Sequence, residues 1–316
     1  KFLYHIIKPY TLNFDRVCTT RINQFNPDLI FFPSERYIPF KNVPIINMVQ
    51  NMEPFSKSNK NNTISIKFKL TILKIIGTYA IKKSHGTIVI SKYSKNYLQE
   101  KLSIKPSKIK LCYHGANLGP YKPTIPKNLE NRELSNFIFT AGSIRPARGL
   151  EDIIKSFNLL FDIDKSFKLV IAGGYNLISK AYYDKLISYI EEFKLQNRII
   201  WLGEINSNEM KWCYQNCRMF VMTSRVEAFG IIAVEAMLNG CISVSSNSPC
   251  LPEIFKEAAF YYEESDHIEL FKKINYILSL KEEKIKRISD RAVKRANYFS
   301  WDICSVRPST FLKNYN

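Results

Sequence analysis

The sequence has few glycines and, over its first part, few acidic residues. Only 11 of its 316 residues are glycine, and Gly77 is the only glycine before Gly86. Residues 1–125 carry a net charge of +15, whereas residues 126–316 carry only +3. A basic excess of this size favours an acidic partner, such as nucleic acid, anionic lipid or a phosphorylated substrate. The hydrophobic content of 46% excludes a disordered chain.

Long apolar runs and metal-binding cysteine patterns are also absent from the sequence. The longest apolar candidate, Leu70–Ile81, is interrupted by Lys74 and is shorter than the roughly 20 residues of a membrane span. The seven cysteines include no CxxC pair, and Cys213 and Cys217 lack the further ligands of a zinc site. We therefore expect mostly buried, reduced thiols and a cytoplasmic location.

Short apolar segments alternate with longer segments of helical period. Most of the short segments are continuous apolar runs, which is typical of strands buried on both faces of a parallel sheet. The alternation predicts an α/β fold of doubly wound domains. The predicted strands are 28–32, 44–49, 87–91, 110–113, 137–141, 168–172, 199–202, 219–223, 242–245 and 259–262. The predicted helices are 64–84, 92–102, 149–161, 179–194, 207–216, 230–239, 266–279 and 281–298.

A proline-containing stretch interrupts this alternation. Residues 117–135 include Pro120, Pro123 and Pro126, followed by a polar run, which is typical of an interdomain linker. The linker coincides with the change in charge. We therefore predict a basic first domain at residues 1–125 and a second domain at residues 126–298.

Two predicted strands are followed by glycines, the first also by arginines. In doubly wound sheets, ligands bind beyond the carboxyl ends of the strands. Strand 137–141 is followed by Gly142, Arg145 and Arg148 before a helix begins, a combination that favours phosphate binding. The alternative is an ordinary turn with solvated arginines. Gly173, after strand 168–172, permits either close approach of a ligand or a tight turn.

Two carboxylates follow strand 219–223. Glu227 lies in the loop, and Glu235 lies eight positions later inside an apolar helix. Together they can hold separate hydroxyl groups of one ligand, while the N–H groups of Phe229, Gly230 and Ile231 point at an anion. The alternative is a loop with two exposed acids, but a carboxylate inside an apolar helix requires a partner.

These segments resemble motifs of the retaining glycosyltransferases of family 4, which have the GT-B fold of two Rossmann-like domains facing across a cleft. The span from Glu227 to Glu235 resembles the Glu-x7-Glu motif of that family. The other similar segments, in the same order as in the family, are Phe139–Glu151, Leu169–Gly174, Leu202–Ile205, Cys250–Ile254, Ala258–Tyr261 and Phe299–Trp301, with weaker similarity at Ile90–Lys95 and Tyr113–Asn117.

The resemblance implies transfer of a sugar from a nucleotide-diphosphate sugar with retention of anomeric configuration. It places Arg148 on the donor diphosphate, Glu227 on the donor sugar hydroxyls and Glu235 on the ribose hydroxyls. No cofactor or metal is implied, since Arg148 and a helix N-terminus supply positive charge at the phosphate. Glu227 and Arg148 are the catalytic candidates, and the donor-binding candidates are Gly142, Ser143, Arg145, Arg148, Gly173, Glu204, Glu227, Phe229, Gly230, Ile231 and Glu235.

The chain departs from the family pattern at three places. Ser143 stands where many members have Arg, and Arg145 is the nearest substitute. The glycine-rich loop that begins most members is absent, so we expect a first domain that lacks at least one βα unit. Many members place a His at a strand end that here reads Val49–Glu53 and contains none; Asn51 or Glu53 could bind a sugar there, and we expect Asn51 and His114 near the cleft. Residues 299–316 are expected to form a helix that returns to the first domain.

Two further features leave alternatives open. Asp162 and Asp164 form an Asp-x-Asp pair, which binds a metal–nucleotide complex in another transferase fold, but a position before a strand favours a solvated turn. Residues 57–83 mix lysines with large apolar residues, which favours an anionic membrane surface, the alternative being a core helix with a solvated face.

The predicted function is transfer of a sugar to a glycan or lipid-linked acceptor in cell-surface polysaccharide or glycolipid synthesis. The enzyme is predicted to be of the retaining hexosyltransferase type. The alternatives are a sugar-nucleotide isomerase or phosphorylase of related GT-B shape, and a non-catalytic nucleotide-sugar-binding protein. Nucleic acid is not an expected partner, because the basic part contains no recognised nucleic-acid-binding module.

Overall fold

The computed structural model describes residues 20–304 except residues 21, 23, 41, 58–60, 118, 131 and 133–135. In this part of the chain the strands form two parallel sheets, which confirms the predicted α/β class. The first sheet has the order β1-β2-β3-β4, and these strands are β1 Ile30–Phe32, β2 Ile45–Val49, β3 Gly86–Val89 and β4 Ile109–Leu111. The second sheet has the order β10-β9-β8-β5-β6-β7, and its strands are β5 Phe137–Ala141, β6 Lys168–Ala172, β7 Ile199–Gly203, β8 Met219–Met222, β9 Ser243–Ser246 and β10 Ala259–Tyr262.

Helices connect most of these strands, as parallel pairing requires. They are α1 Ile64–Lys83, α2 Lys92–Glu100, α3 Leu150–Ile163, α4 Lys180–Glu192, α5 Ser207–Asn216, α6 Ile231–Leu238, α7 Leu251–Phe255, α8 His267–Leu278 and α9 Glu282–Ala296. Side chains cap several of the helix starts. The Thr63 hydroxyl accepts a hydrogen bond from the N–H of Ile66 at the start of α1, and Ser91 does the same for α2.

The predicted boundaries hold best where a strand is buried. All five residues of β5 are buried, and full burial of each Phe or Ile contributes about 1.5–3 kcal/mol, so the apolar run fixes both ends. The prediction was less accurate at the ends of helices. Helix α3 continues through Ile163, so Asp162 is helical and the predicted loop position of this residue is wrong. Asp164 ends the helix, and its Oδ1 atom accepts a hydrogen bond from the N–H of Ser166 at 2.8 Å.

The strand order of the second sheet creates a crevice beside its central strand. From β5 the chain adds β6 and β7 on one side, and then β8, β9 and β10 on the other side. The loops that follow β5 and β8 therefore leave adjacent strands in diverging directions. Ligands of doubly wound sheets bind at such a point, where the strand order reverses.

The chain returns to the first sheet after α9. The N–H of Ala116, beyond β4, donates to the carbonyl of Phe299 at 2.8 Å. Gly115 lies so close to Trp301 that an added Cβ atom would stand 2.5 Å from the indole ring. The helix predicted for residues 299–316 lies mostly outside the described residues, which end at Cys304.

A carboxylate on α7, beside the second sheet, binds the N-terminus of α2, beside the first sheet. The Glu253 side chain, on α7, accepts hydrogen bonds from the N–H groups of Lys92 and Tyr93 at 2.7 and 3.1 Å. It also accepts one from the Tyr113 hydroxyl at 2.7 Å. A negative charge at the N-terminus of α2 is favourable because unpaired N–H groups and the helix dipole meet there. This contact joins the two sheets beside the crevice.

Candidate active site

The loops after β5 and β8 lie against each other at the crevice. The Thr223 hydroxyl donates to the carbonyl of Arg148 at 2.7 Å, and the N–H of Arg225 donates to the carbonyl of Ala147 at 2.9 Å. Gly149, which begins α3, has a left-handed backbone with φ of +60°. A Cβ atom at this position would lie 2.5 Å from the carbonyl oxygen of Thr223, so only glycine allows this approach.

This approach predicts a measurable cost for Gly149→Ala. The substitution combines left-handed strain, about 1–2 kcal/mol, with a backbone clash, so we expect a larger loss of unfolding free energy than strain alone gives. Gly203→Ala is the matched control, because Gly203 also has a positive φ, +69°, but a Cβ atom there meets nothing within 4 Å. Urea unfolding of both variants measures the difference. Equal losses would contradict the packing of the two loops.

Arg148 and Glu227 form an ion pair at the centre of the crevice. The Nη1 atom of Arg148 contacts the Oε1 atom of Glu227 and also donates to the Ser224 hydroxyl at 3.0 Å. Both charged side chains are mostly buried, with 17% and 13% of their surface exposed. The structure thus brings together the two residues predicted to be catalytic, which lie on different loops.

Arg145 pairs with a carboxylate from the first half of the chain. The Nη1 atom of Arg145 lies 2.5 Å from the Oε2 atom of Glu53. Asn51, predicted near the cleft, lies beside this pair, and its side-chain oxygen accepts from the N–H of Glu53 at 2.9 Å. Ser143 is exposed on the same loop. Among the described residues, the buried Nε atoms of Arg145 and Arg148 have no hydrogen-bond acceptor.

Glycines bring the loops after β6 and β7 to the same place. Gly173 has a φ of +140°, and a Cβ atom there would lie 2.0 Å from the carbonyl oxygen of Gly142. The N–H of Gly173 donates to the carbonyl of Gly203 at 2.7 Å. Gly174 is packed against the Glu204 carboxylate in the same way. The candidates Gly142, Gly173 and Glu204 therefore lie in loops that contact one another.

Glu235, a carboxylate inside an apolar helix, has a hydrogen-bond partner. It lies on α6, and its carboxylate accepts a hydrogen bond from the Tyr214 hydroxyl at 3.2 Å. Burial raises the pKa of Glu235, and the hydrogen bond from Tyr214 opposes this shift. Helix α6 begins at Gly230, whose φ of +83° is left-handed, and Ile231 at its first turn is exposed. The first N–H groups of an α-helix have no partner within the helix.

His114 and Phe229 meet in an aromatic cluster between the two sheets. Their ring centroids are 5.7 Å apart, and the indole ring of Trp301 lies 6.4 Å from His114 on another side. Phe229 is buried against Tyr113 and Phe299. Burial lowers the pKa of His114, which favours its neutral form. His114, predicted near the cleft, thus contacts a residue of the loop after β8.

Sequence reasoning missed a buried polar network beneath the site. One nitrogen, Nη2 of Arg225, donates to Glu151 and to Asp152, each at 2.8 Å. The hydroxyls of Tyr182 and Tyr262 donate to the same two carboxylates. Burial alone lowers the pKa of Arg225, but the two adjacent carboxylates raise it overall. The available signal was the pair of acidic residues at the start of an apolar helix.

No metal site is found at the Asp-x-Asp pair. In the ranges listed above, no group of three or more His, Cys, Asp or Glu side chains is arranged to hold a metal ion. Asp164 lies before β6, beside a surface cavity of about 420 Å³ that Asn136 and Arg218 also line. These residues precede strands, so the cavity lies at the end of the sheet opposite the crevice.

Solved structures share this architecture at low sequence identity. Anabaena Alr3699/HepE, solved with UDP-glucose, aligns with a TM-score of 0.78 at 18% identity, covering 98% of this chain and 85% of that one. Sucrose-phosphate synthase from Thermosynechococcus elongatus aligns with the same TM-score at 15% identity, covering 95% and 77%. The two-sheet architecture is the GT-B fold.

Curated relatives match over part of their length. An uncharacterized glycosyltransferase of Bacillus subtilis, YqgM, is 28% identical over 172 residues, which is 53% of this chain and 44% of the relative. The O-antigen chain mannosyltransferase RfbU of Salmonella typhimurium is 22% identical over 187 residues, 59% and 49%. The chain spans about half the length of these relatives. The model of the family "Glycosyl transferases group 1" matches residues 122–295, more than half of the chain, and this chain belongs to that family.

Proposed function

We propose that this chain transfers a hexose from a nucleotide-diphosphate sugar to a glycan or lipid-linked acceptor. The proposal includes retention of anomeric configuration and a family 4 mechanism based on the Glu-x7-Glu motif. The process we propose is synthesis of a cell-surface polysaccharide or glycolipid. The O-antigen mannosyltransferases among the relatives support this process, and the UDP-glucose complex of Alr3699/HepE supports the donor class.

One observation carries the proposal. Arg145 and Arg148 converge on the crevice with buried Nε atoms that lack an acceptor among the described residues. Glu53 pairs with the guanidinium of Arg145, and Glu227 pairs with that of Arg148. A diphosphate is able to take the place of these two carboxylates. Arginine binds phosphate oxygens through two parallel N–H groups, so these free donors fit the donor diphosphate.

The residues have distinct roles in the proposed reaction. The bond between the anomeric carbon and the phosphate oxygen breaks, and the nucleoside diphosphate leaves. Positive charge develops on the sugar and negative charge on the phosphate. Arg148 and the N-terminus of α6 stabilise the phosphate charge, which removes the need for a metal ion. Glu227 holds the sugar hydroxyls, and Glu235 holds the ribose.

The acceptor completes the exchange. Its hydroxyl oxygen forms the new bond to the anomeric carbon, and its proton passes to the departing phosphate oxygen. We place this reaction in the cytoplasm. Five of the six described cysteines are buried. The Sγ atoms of Cys217 and Cys241 lie 3.9 Å apart, well beyond the S–S length of about 2.05 Å in a disulfide bond. Thiols kept in this state are typical of a reducing compartment.

A thermal-shift panel of nucleoside diphosphates and their sugars tests the proposal. A ligand at 100 times its dissociation constant stabilises the native state by about 2.7 kcal/mol, which raises the melting temperature of a chain of this size by several degrees. We expect one nucleotide class to stabilise the protein and its sugar form to be turned over when acceptor is present. Product analysis separates transfer from isomerisation, which needs no acceptor. Absence of a shift with every nucleotide would contradict the proposed function.

A further inference from the structure

Helix α1 exposes an unusual number of large apolar side chains. Ile64 is 86% exposed, Phe68 is 69% exposed and Ile75 is 65% exposed. Ile72, Leu73, Ile76 and Tyr79 are exposed as well. Single exposed apolar residues are ordinary, but a contiguous apolar surface marks an interaction site.

Five of the seven exposed apolar residues form a stripe along one side of the helix, and Leu73 and Ile76 lie outside it. At about 100° per residue, Ile64, Phe68, Ile72, Ile75 and Tyr79 fall within an arc of about 80°. The residues of α1 that are buried lie outside this arc, mainly on the other side of the helix: Gly77, Ala80 and Ile81. The helix therefore has two apolar faces. One packs on its own domain, and the other is exposed, although Tyr79 near its C-terminal end lies 6.1 Å from Tyr37, ring centroid to ring centroid.

Positive charge surrounds the exposed stripe. Helix α1 contains no Asp or Glu and five lysines, all exposed: Lys67, Lys69, Lys74, Lys82 and Lys83. By the same helical angle, Lys67 and Lys74 lie on one side of the stripe and Lys69 lies on the other. The long lysine side chains are able to extend past an apolar surface and keep their ammonium groups in a polar layer.

We propose that this face of α1 docks on an anionic lipid surface, with the stripe in the apolar boundary and the lysines among the headgroups. An apolar face bordered by lysines fits such a surface in both respects, since the apolar side chains are buried at the acyl boundary and the lysines are attracted to the anionic headgroups. A second copy of the same face would set lysines against lysines, which is unfavourable. Among the described residues, no helix has the length and apolar character of a membrane span.

This proposal is independent of sugar transfer and has a direct test. The full chain is floated with phosphatidylcholine vesicles that contain or lack phosphatidylglycerol, at low and at high salt. We expect binding to the anionic vesicles only, and weaker binding as salt increases. Absence of binding to anionic vesicles at low salt would overturn the proposal, whatever the donor experiments show.

Two variants separate the apolar and electrostatic contributions. Phe68→Ser with Ile75→Ser is expected to weaken binding by about tenfold or more, because both side chains lose their burial in lipid. Lys67→Gln with Lys74→Gln is expected to weaken binding and reduce its salt dependence. The matched control is Leu177→Ser with Ile178→Ser, which removes two exposed apolar side chains from the other half of the chain.

Three outcomes would assign the face differently. If the control weakens binding as much as the α1 variants, the interaction is general and the proposal fails. If the full chain dimerises in light scattering and Phe68→Ser with Ile75→Ser makes it monomeric without vesicle binding, the occupant is a second copy. Binding to uncharged vesicles with no salt effect would remove the role of the lysines. Circular dichroism confirms folding, and the lysine variant keeps the test decisive if the serine variant unfolds.

Discussion

Replacing Glu227 by Gln is expected to lower the rate of sugar transfer by about 10²–10³-fold, the loss seen when one preorganised polar group is removed from an active site. The same change is expected to strengthen the binding of a nucleoside diphosphate that carries no sugar. The stronger binding follows from the ion pair of Glu227 with Arg148, and the loss of transfer follows from the proposed contact of Glu227 with the sugar hydroxyls. The carboxylate occupies the guanidinium that we propose binds the diphosphate, and a negative charge there would repel the phosphate.

Arg148→Gln provides the contrast. This change removes hydrogen-bond donors to the proposed diphosphate and leaves the mostly buried Glu227 without its cation. We therefore expect both nucleotide binding and transfer to fall. Titration calorimetry with the nucleoside diphosphate, and initial rates with the sugar donor that stabilises the protein most, measure the two effects. The control is Glu257→Gln, an exposed glutamate in the same half of the chain. An unchanged transfer rate in Glu227→Gln would contradict the proposed role of Glu227 in the reaction.

The sequence predicts those parts of the site that depend on local order along the chain. Gly142, Arg148 and Glu227 lie in the loops that follow buried strands, and the carboxyl ends of parallel strands share one edge of the sheet. Their proximity could therefore be predicted once the strands were recognised. The strand order places the loops after β5 and β8 side by side. The ion pair between Arg148 and Glu227 confirms that placement, although the sequence indicated only that both residues face a common ligand.

Contacts across large sequence separations could not be predicted. Arg145 and Glu53 are 92 residues apart, and Arg225 and Glu151 are 74 residues apart. Each pairing depends on how two sheets or two loops are placed in space, which hydrophobic periodicity does not encode. The predicted loop position of Asp162 was wrong for a related reason, since the end of a helix depends on its capping interactions as well as its apolar pattern.

Replacing Arg225 by Met is expected to lower the free energy of unfolding by about 3–5 kcal/mol, the cost of removing one partner from a buried ion pair. Arg225 has only 7% of its side chain exposed, and it is the cation shared by Glu151 and Asp152. Without it, two buried carboxylates lose their counter-charge. Arg225 lies two residues before Glu227 in the same loop, so transfer activity is expected to fall with stability.

The matched control for this variant is an arginine with a weaker, more exposed partner. Arg218 pairs with Glu282 at 3.3 Å, and the glutamate side chain is 82% exposed. Exposed ion pairs contribute about 0–1 kcal/mol, so Arg218→Met is expected to cost far less than Arg225→Met. Urea unfolding of the two variants compares the two costs. Similar losses would show that the buried network does not stabilise the fold through its charges.

The pH dependence of Arg225→Met distinguishes lost charge pairing from lost packing. Burial raises the pKa of Asp152 in the folded protein, and Arg225 opposes that shift. Removing Arg225 therefore raises the folded pKa further above the unfolded value of about 3.9. A group of this kind contributes stability below its unfolded pKa and loses it as pH rises through its folded pKa. The stability deficit of the variant is thus expected to be smaller at about pH 5 than at about pH 8. Adding Asp152→Asn to the variant should recover part of the deficit at the higher pH, because one uncompensated charge is removed. A deficit that is independent of pH, with no recovery in the double variant, would assign the effect to packing alone.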